Sequence, residues 1–259
     1  MPGSNFGRRI FQLDSVTSTQ DILKSEFHRG AKEGTVAIAS EQLSGRGRMA
    51  RSWYSPAGKG LWASVILQPE GPEENWTWVP LWAGIVVEKT LRSLLEPGEI
   101  TSDFEIQLKW PNDILMQDRK LGGIIAENVC NTEEEQAIIL GVGLNLLQRE
   151  EDFPPHLRAR SASLLALTGK SFSPDYALER LLNALEEMHP LICPIDSLLI
   201  GKLWLSSAWA LNRKLRVLSG KTSYEGVFTG LGANGEMALQ QEGEEPLYLT
   251  TTEGIQPVD

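Results

Sequence analysis

Two apolar runs, GTVAIAS at residues 34–40 and GLWASVIL at 60–67, bracket a short basic stretch, EQLSGRGRMARSW at 41–53. Runs rich in Val, Ile and Trp and bounded by polar residues read as strands. The basic stretch is then a loop held between two sheet strands, and the rest of the chain must be built around it. It carries Arg46, Arg48 and Arg51, with Gly45 and Gly47 interleaved. Glycine lets the main chain approach a ligand closely, and successive backbone N–H groups in such a turn form an anion-binding nest. Arginine adds planar, bidentate charge for a carboxylate or phosphate. Taken alone, G-R-G-R also describes a plain solvated turn.

The chain has 259 residues, enough for one large domain or a large and a small one. It is 41% hydrophobic and 22% charged, as in an ordinary globular protein, with a formal net charge of −10. An acidic protein lacks the whole-molecule footprint of a nucleic-acid binder, so its local basic loop points to a small anionic ligand. Cys130 and Cys193 are far apart and lack CxxC spacing, and read as packed thiols of a reducing compartment. His28, His156 and His189 show no ligand-spaced cluster. The first residues lack an apolar signal-peptide core and no run approaches membrane-spanning length, so a cytoplasmic location is expected.

Residues 6–13 are expected to form a strand ending in the polar cluster 14–20, whose hydroxyls cap a helix over 20–29. Strands follow at 35–39 and 61–67, then a helix over 78–95 with Trp78, Leu81, Trp82, Ile85 and Val86 on one stripe, stopped by Pro97-Gly98. Residues 106–110 form a strand entering Pro111-Asn112-Asp113. Residues 114–116 and 120–128 form a hairpin, and 136–146 a further strand containing Gly141, Gly143 and Asn145. Glycines inside strands mark places where something approaches the backbone closely. Residues 148–161 read as a loop. Ser173-Pro174-Asp175 starts a helix running to about 189, and another spans 195–209. From Leu211, short strands at 214–219, 222–229, 236–241 and 247–251 suggest a small barrel or sandwich.

Four segments point to one site: S-T-Q at 18–20, the 41–53 loop, K-W-P-N-D at 109–113 with R-K-L-G-G-I at 119–124, and G-V-G-L-N at 141–145. Each alone has an ordinary structural explanation. In this order they resemble the biotin–protein ligase family over most of residues 6–210. The combination of GRGR, KWPND and KLGG is far more specific than any of its pieces.

The resemblance implies an α+β fold: a class II synthetase-like mixed β-sheet catalytic domain with helices over residues 1–210, plus a small C-terminal SH3-like β-barrel over 211–259. It implies a ligase that joins biotin and ATP into biotinyl-5′-AMP, with Mg²⁺, and passes biotin to a lysine of a biotin carboxyl carrier domain. Ser18, Thr19, Gln20 and Gln42 match its biotin-binding positions. Arg46, Gly47 and Arg48 match the loop over biotin and the acyl phosphate, with Arg48 restraining the intermediate. Arg51 and Trp53 match the nucleotide side, as do Asn112 and Asn145, with Asp113 at the metal end. Lys120 matches the catalytic position that bridges the biotin carboxylate and α-phosphate. Gly122, Gly123, Gly141 and Gly143 match the lining of the biotin slot.

Gln20 departs from the family's usual Asn. The stretch before Glu41 is shorter than the DNA-binding segment of bifunctional members, so a monofunctional ligase without nucleic-acid partners is expected. A lipoate or octanoate ligase, a non-catalytic biotin-binding regulator and, more weakly, a nucleic-acid-binding protein remain as competing readings, and a homodimer through edge strands stays open.

Overall fold

The computed structural model describes residues 5–95 and 104–258. Its centre is a seven-stranded mixed sheet in the order β1-β2-β3-β7-β6-β5-β4. The strands are β1 (Ile10–Val16), β2 (Val36–Gln42), β3 (Gly60–Leu67), β4 (Ile106–Lys109), β5 (Asp113–Met116), β6 (Arg119–Cys130) and β7 (Gln136–Asn145). β1 runs parallel to β2, and every other pairing is antiparallel. β3 is buried along its whole length, which is why it reads as a continuous apolar run rather than an alternating one.

Helices cover both faces. α1 (Thr19–His28) seats Leu23 and Phe27 on Ala37, Ile66, Ala137 and Ile139. α2 (Val79–Leu94), with Pro80 in its first turn, packs Leu81, Trp82, Val86 and Leu91 into the larger core on the other face. α5 (Pro174–Met188) packs against α2 and begins where Ser173 accepts a hydrogen bond from the Tyr176 N–H. Between β7 and α5 lie the short helices α3 (Pro155–Arg158) and α4 (Leu164–Thr168), inside and just beyond the stretch expected to be a loop. The expected stop at Pro97-Gly98 lies outside the described residues.

Two boundaries move for identifiable reasons. Gly7 turns at φ +79 and donates to the Gly34 carbonyl, so the first strand starts at Ile10 and not at residue 6. α6 (Ser197–Ser206) ends before residue 209, because Ser207 and Trp209 both hydrogen-bond to the backbone of Leu108 and set Ala208 in a parallel bridge alongside β4. Cys130 is exposed at the end of β6 and only Cys193 is partly buried, so the packed-thiol expectation fails for Cys130.

The second sheet is antiparallel, in the order β11-β10-β9-β8-β12. It contains β8 (Lys214–Ser219), β9 (Thr222–Leu231), β10 (Met237–Gln240), β11 (Leu247–Leu249) and β12 (Gly254–Pro257). β12 was not anticipated, since a lone Ile255 flanked by Gly and Pro carries little strand signal. Phe228 packs edge-on against Trp204 of α6 and is fully buried, contributing about 1.5–3 kcal/mol. Indole N–H groups of Trp78 and Trp110 donate to the carbonyls of Ala233 and Gly235 in the β9–β10 turn. The two sheets therefore share one continuous apolar core. No described helix is long and apolar enough to cross a membrane.

Candidate functional site

The floor of the site is the stretch where β3, β7 and β6 run side by side. Register sets Ser64 beside Gly141 and Ile125, and Trp62 beside Gly143 and Gly123. A methyl group added to Gly141 would lie 2.8 Å from Gln20 Nε2, and one on Gly143 would lie 2.5 Å from Trp53 Nε1. On Gly123 it would lie 3.2 Å from the Trp53 ring and 3.4 Å from Lys120 Cε. Three expected slot glycines thus each make room for a side chain that the sequence also singled out. Gly122 does not: its missing side chain faces Leu144 and Ile114, among core residues.

The start of α1 closes one side. Ser18 caps the helix by accepting from the Gln20 N–H at 3.3 Å. Thr19 donates from its backbone N–H and its hydroxyl to Gln42 Oε1, at 3.0 and 3.1 Å, and its hydroxyl meets Ser64 Oγ at 2.7 Å. Gln42 Nε2 donates to Ser55 Oγ at 3.0 Å. Gln20 reaches across to the Ile125 carbonyl, and its own Oε1 is buried without a partner.

The glycine–arginine loop forms the lid. Gly45 is packed so closely against Trp53 O and Ser55 Oγ that any side chain would collide. Gly47 N–H donates to the Arg51 carbonyl at 2.8 Å, and Met49 and Ala50 take left-handed φ of 56 and 57 at the tip. Such backbone costs on the order of 1–3 kcal/mol per residue outside glycine. Arg46 pairs with Asp21 at 2.7 Å, which raises its pKa, with Glu127 further off at 3.6 Å. Arg48 is half-buried and reaches Thr251 Oγ1 at 3.3 Å; burial lowers its pKa while Asp113 acts in the other direction. Arg51 donates to the Glu253 carbonyl at 2.6 Å. Arg46 Nε and Trp53 Nε1 are buried without partners.

Opposite the lid sits a carboxylate among cations. Lys120 Nζ lies 2.6 Å from Asp113 Oδ1 and 5.1 Å from the centre of the Trp53 ring. Its backbone is pinned by bonds to Arg160 O and from Ala162 N. Lys109 lies over the Trp209 ring at 4.4 Å and donates to the Ile255 carbonyl; burial lowers its pKa, with Asp113 opposing. Asn112 is committed to the Ile124 carbonyl at 2.6 Å, and Asn145 to Gln148 at 3.0 Å.

The structure brings Thr19, Gln20, Gln42, Trp53, Lys120 and three glycines together. It sets Trp53 directly on the glycine floor, against Gly123 and Gly143. Arg48 and Arg51 turn toward the second sheet. Sequence reasoning missed Asp21, Ser55, Ser64, Thr251 and Glu253, and gave Lys109 no role. Asp21 directly follows S-T-Q and was within reach; nothing local marks Thr251 or Glu253. The assembly can hold two anions beside one another, with cations and N–H donors aimed at their charge.

Residues 12–145 match the model of the biotin/lipoate A/B protein ligase family. The chain is 29% identical over 248 residues to the bifunctional ligase/repressor BirA of Bacillus spizizenii, covering 95% of this chain and 74% of that one. It is 34% identical over 180 residues to the biotin–[acetyl-CoA-carboxylase] ligase of Mycobacterium tuberculosis, covering 68% and 63%. The biotin protein ligase of Aquifex aeolicus, solved in complex with biotin and ATP, superimposes with a TM-score of 0.80 at 27% identity, covering 97% of this chain and all of that one. With its glycine floor, arginine loop and Lys120 in place, the chain belongs to the biotin/lipoate A/B protein ligase family.

Proposed function

We propose that the chain is an ATP-dependent biotin–protein ligase whose chemistry centres on Lys120. A biotin carboxylate oxygen attacks the α-phosphorus of ATP, the bond to pyrophosphate breaks, and biotinyl-5′-AMP forms. A carrier-domain lysine amine then attacks the acyl carbon, AMP leaves, and the amine loses a proton. The observation that carries this reading is the Asp113 carboxylate, 2.6 Å from Lys120 and electrostatically felt by Arg48 and Lys109. It stands where three cations converge, as an incoming carboxylate or phosphate would.

In this reading biotin lies on Gly123, Gly141 and Gly143. Thr19, Gln20 and Gln42 hold its polar head, and Trp53 is an apolar wall shared with the nucleotide. The unpartnered Gln20 Oε1, Arg46 Nε and Trp53 Nε1 support a polar ligand, since each such buried group costs about 1–3 kcal/mol. Lys120 bridges carboxylate and α-phosphate, and Arg48 and Arg51 leave the second sheet to meet phosphate. Asp113 offers one oxygen ligand, which suits Mg²⁺: that ion binds through one or two carboxylates plus phosphates and neutralises phosphate charge. The same reading divides the protein at residues 210 and 211, makes the second unit SH3-like, and places the enzyme in the cytoplasm with a carboxylase carrier domain as acceptor.

Exchange of labelled pyrophosphate into ATP, with biotin, lipoate or octanoate, tests it. Exchange with biotin alone, followed by biotin transfer to a carrier domain, is expected. Exchange with lipoate or octanoate instead would transfer the site to the sister activity.

A further inference from the structure

We propose that Glu33, His189 and Cys193 form a three-ligand site for a zinc-class divalent cation, independent of the ligation site. Glu33 lies in the turn between α1 and β2, His189 directly after α5, and Cys193 in the turn before α6. Their ligand atoms all lie within 4.8 Å of one another, and no other such trio of His, Cys, Asp or Glu occurs among the described residues. His189 Nε2 is 3.2 Å from Glu33 Oε1 and 3.4 Å from Cys193 Sγ.

Those separations are close to what a shared ion requires. Zinc binds nitrogen at about 2.0–2.1 Å, carboxylate oxygen at about 2.0–2.2 Å and sulfur at about 2.3 Å. At tetrahedral angles this puts nitrogen and oxygen about 3.4 Å apart, and nitrogen and sulfur about 3.6 Å apart. The protons available do not satisfy the trio as well. If Nε2 carries a proton, it serves the carboxylate or the sulfur, and the other contact goes without. If Nε2 is bare, the thiol can donate to it, but its lone pair then faces the carboxylate oxygen. A cation at the common point satisfies all three.

The surroundings are those of a held site. Glu33 is clamped against the start of the segment after β3: Gln68 N–H donates to Glu33 Oε1 at 2.8 Å, and Glu33 N–H donates to Gln68 Oε1 at 3.3 Å. The edge of the Phe6 ring packs on His189 at 5.2 Å. The Glu70 backbone N–H donates to the carbonyl of Ile192, the residue before Cys193, and fixes that turn. All three ligand residues are partly buried, leaving one side of the trio for a water as fourth ligand. A sulfur, imidazole and carboxylate set suits zinc and its neighbours over Mg²⁺ or Ca²⁺. Bound there, the ion staples the turn at Glu33 to the distant 189–193 stretch, and binding only the folded state would stabilise it.

The test is titration of the metal-stripped, full-length protein with Co²⁺, followed by displacement with Zn²⁺. One equivalent of Co²⁺ should bind, with tetrahedral visible bands and a thiolate-to-cobalt charge-transfer band, and Zn²⁺ should remove both. Cys130→Ser should keep every feature, because that thiol is exposed and outside the trio. Cys193→Ser should lose the charge-transfer band, and Glu33→Gln and His189→Gln should each weaken binding at least tenfold. Zinc competition against a chromophoric chelator on the unmutated protein keeps the result independent of variant folding. No saturable Co²⁺ or Zn²⁺ binding by that protein would overturn the proposal, as would a thiolate band that follows Cys130 or unchanged binding in His189→Gln.

Discussion

Ser64, Thr19, Gln42 and Ser55 form a hydrogen-bonded chain beside the sheet, each contact between 2.7 and 3.1 Å. A few residues away, the 45–53 loop carries left-handed Met49 and Ala50 and buried nitrogens of Arg46 and Trp53 without partners. Its other arginines are tied to Thr251 and Glu253, in the connection between β11 and β12 of the second sheet. The floor is built to stay as it is, each bond adding about 1 kcal/mol. The lid holds strain and provisional partners, so it has contacts to exchange when an anion arrives. Under the proposed function the site divides into a part that fixes the substrate and a part that answers it.

Lys120→Ala should give the largest effect, because Lys120 stands between the two halves. A loss of roughly 100- to 1,000-fold in the rate of biotin adenylation is expected, as for removal of one preorganised donor from a reacting anion. The fold should survive, since the side chain is partly exposed and its backbone bonds remain. Adenylation within tenfold of the parent would remove Lys120 from its role.

Gly143→Ala attacks the floor. Its methyl group would meet the Trp53 indole, and a stability loss of about 1–3 kcal/mol is expected from overpacking. An unchanged melting temperature together with unchanged biotin affinity would mean that the indole is free to leave.

Thr251→Ala attacks the lid alone by removing the acceptor of Arg48. The expected cost is about 1 kcal/mol, read as faster proteolysis within 45–53 with the floor untouched. Equal proteolysis of both proteins would show that the second sheet does not restrain the loop.

Asp152→Asn, away from both halves, should be the mildest. Asp152 accepts from the Arg149 N–H and from Lys59, which together hold its pKa below the ordinary carboxylate value. A depressed carboxylate stabilises the fold above its unfolded pKa and loses that contribution as pH falls through its folded one. The variant should be less stable than the parent at neutral pH by under about 1 kcal/mol, with the gap closing below about pH 4. A gap that widens in acid would reverse the assignment.

This division also separates what the sequence made readable from what it hid. The floor was legible because its signals are local: glycines at 123, 141 and 143 break strand patterns, and Ser18 precedes a helical period. Lys120 follows a hairpin turn in a distinctive motif. The lid's restraints were not, since Arg51 binds the backbone carbonyl of Glu253, which any residue supplies. Gly122, assigned to the slot by motif adjacency, turns its missing side chain toward Leu144 and Ile114, since strand alternation puts it on the face opposite Gly123. His189 and Cys193 lie four residues apart, the spacing of ligands on one helical turn, yet Glu33 joins them only through the tertiary fold.

Amide hydrogen exchange with and without biotin measures both halves in one experiment. The account predicts a marked rise in protection across 45–53 on binding, with little change at 18–20 and in the already protected β7 around Gly141 and Gly143. Equal changes in both halves, or a floor that gains protection while the loop does not, would contradict it.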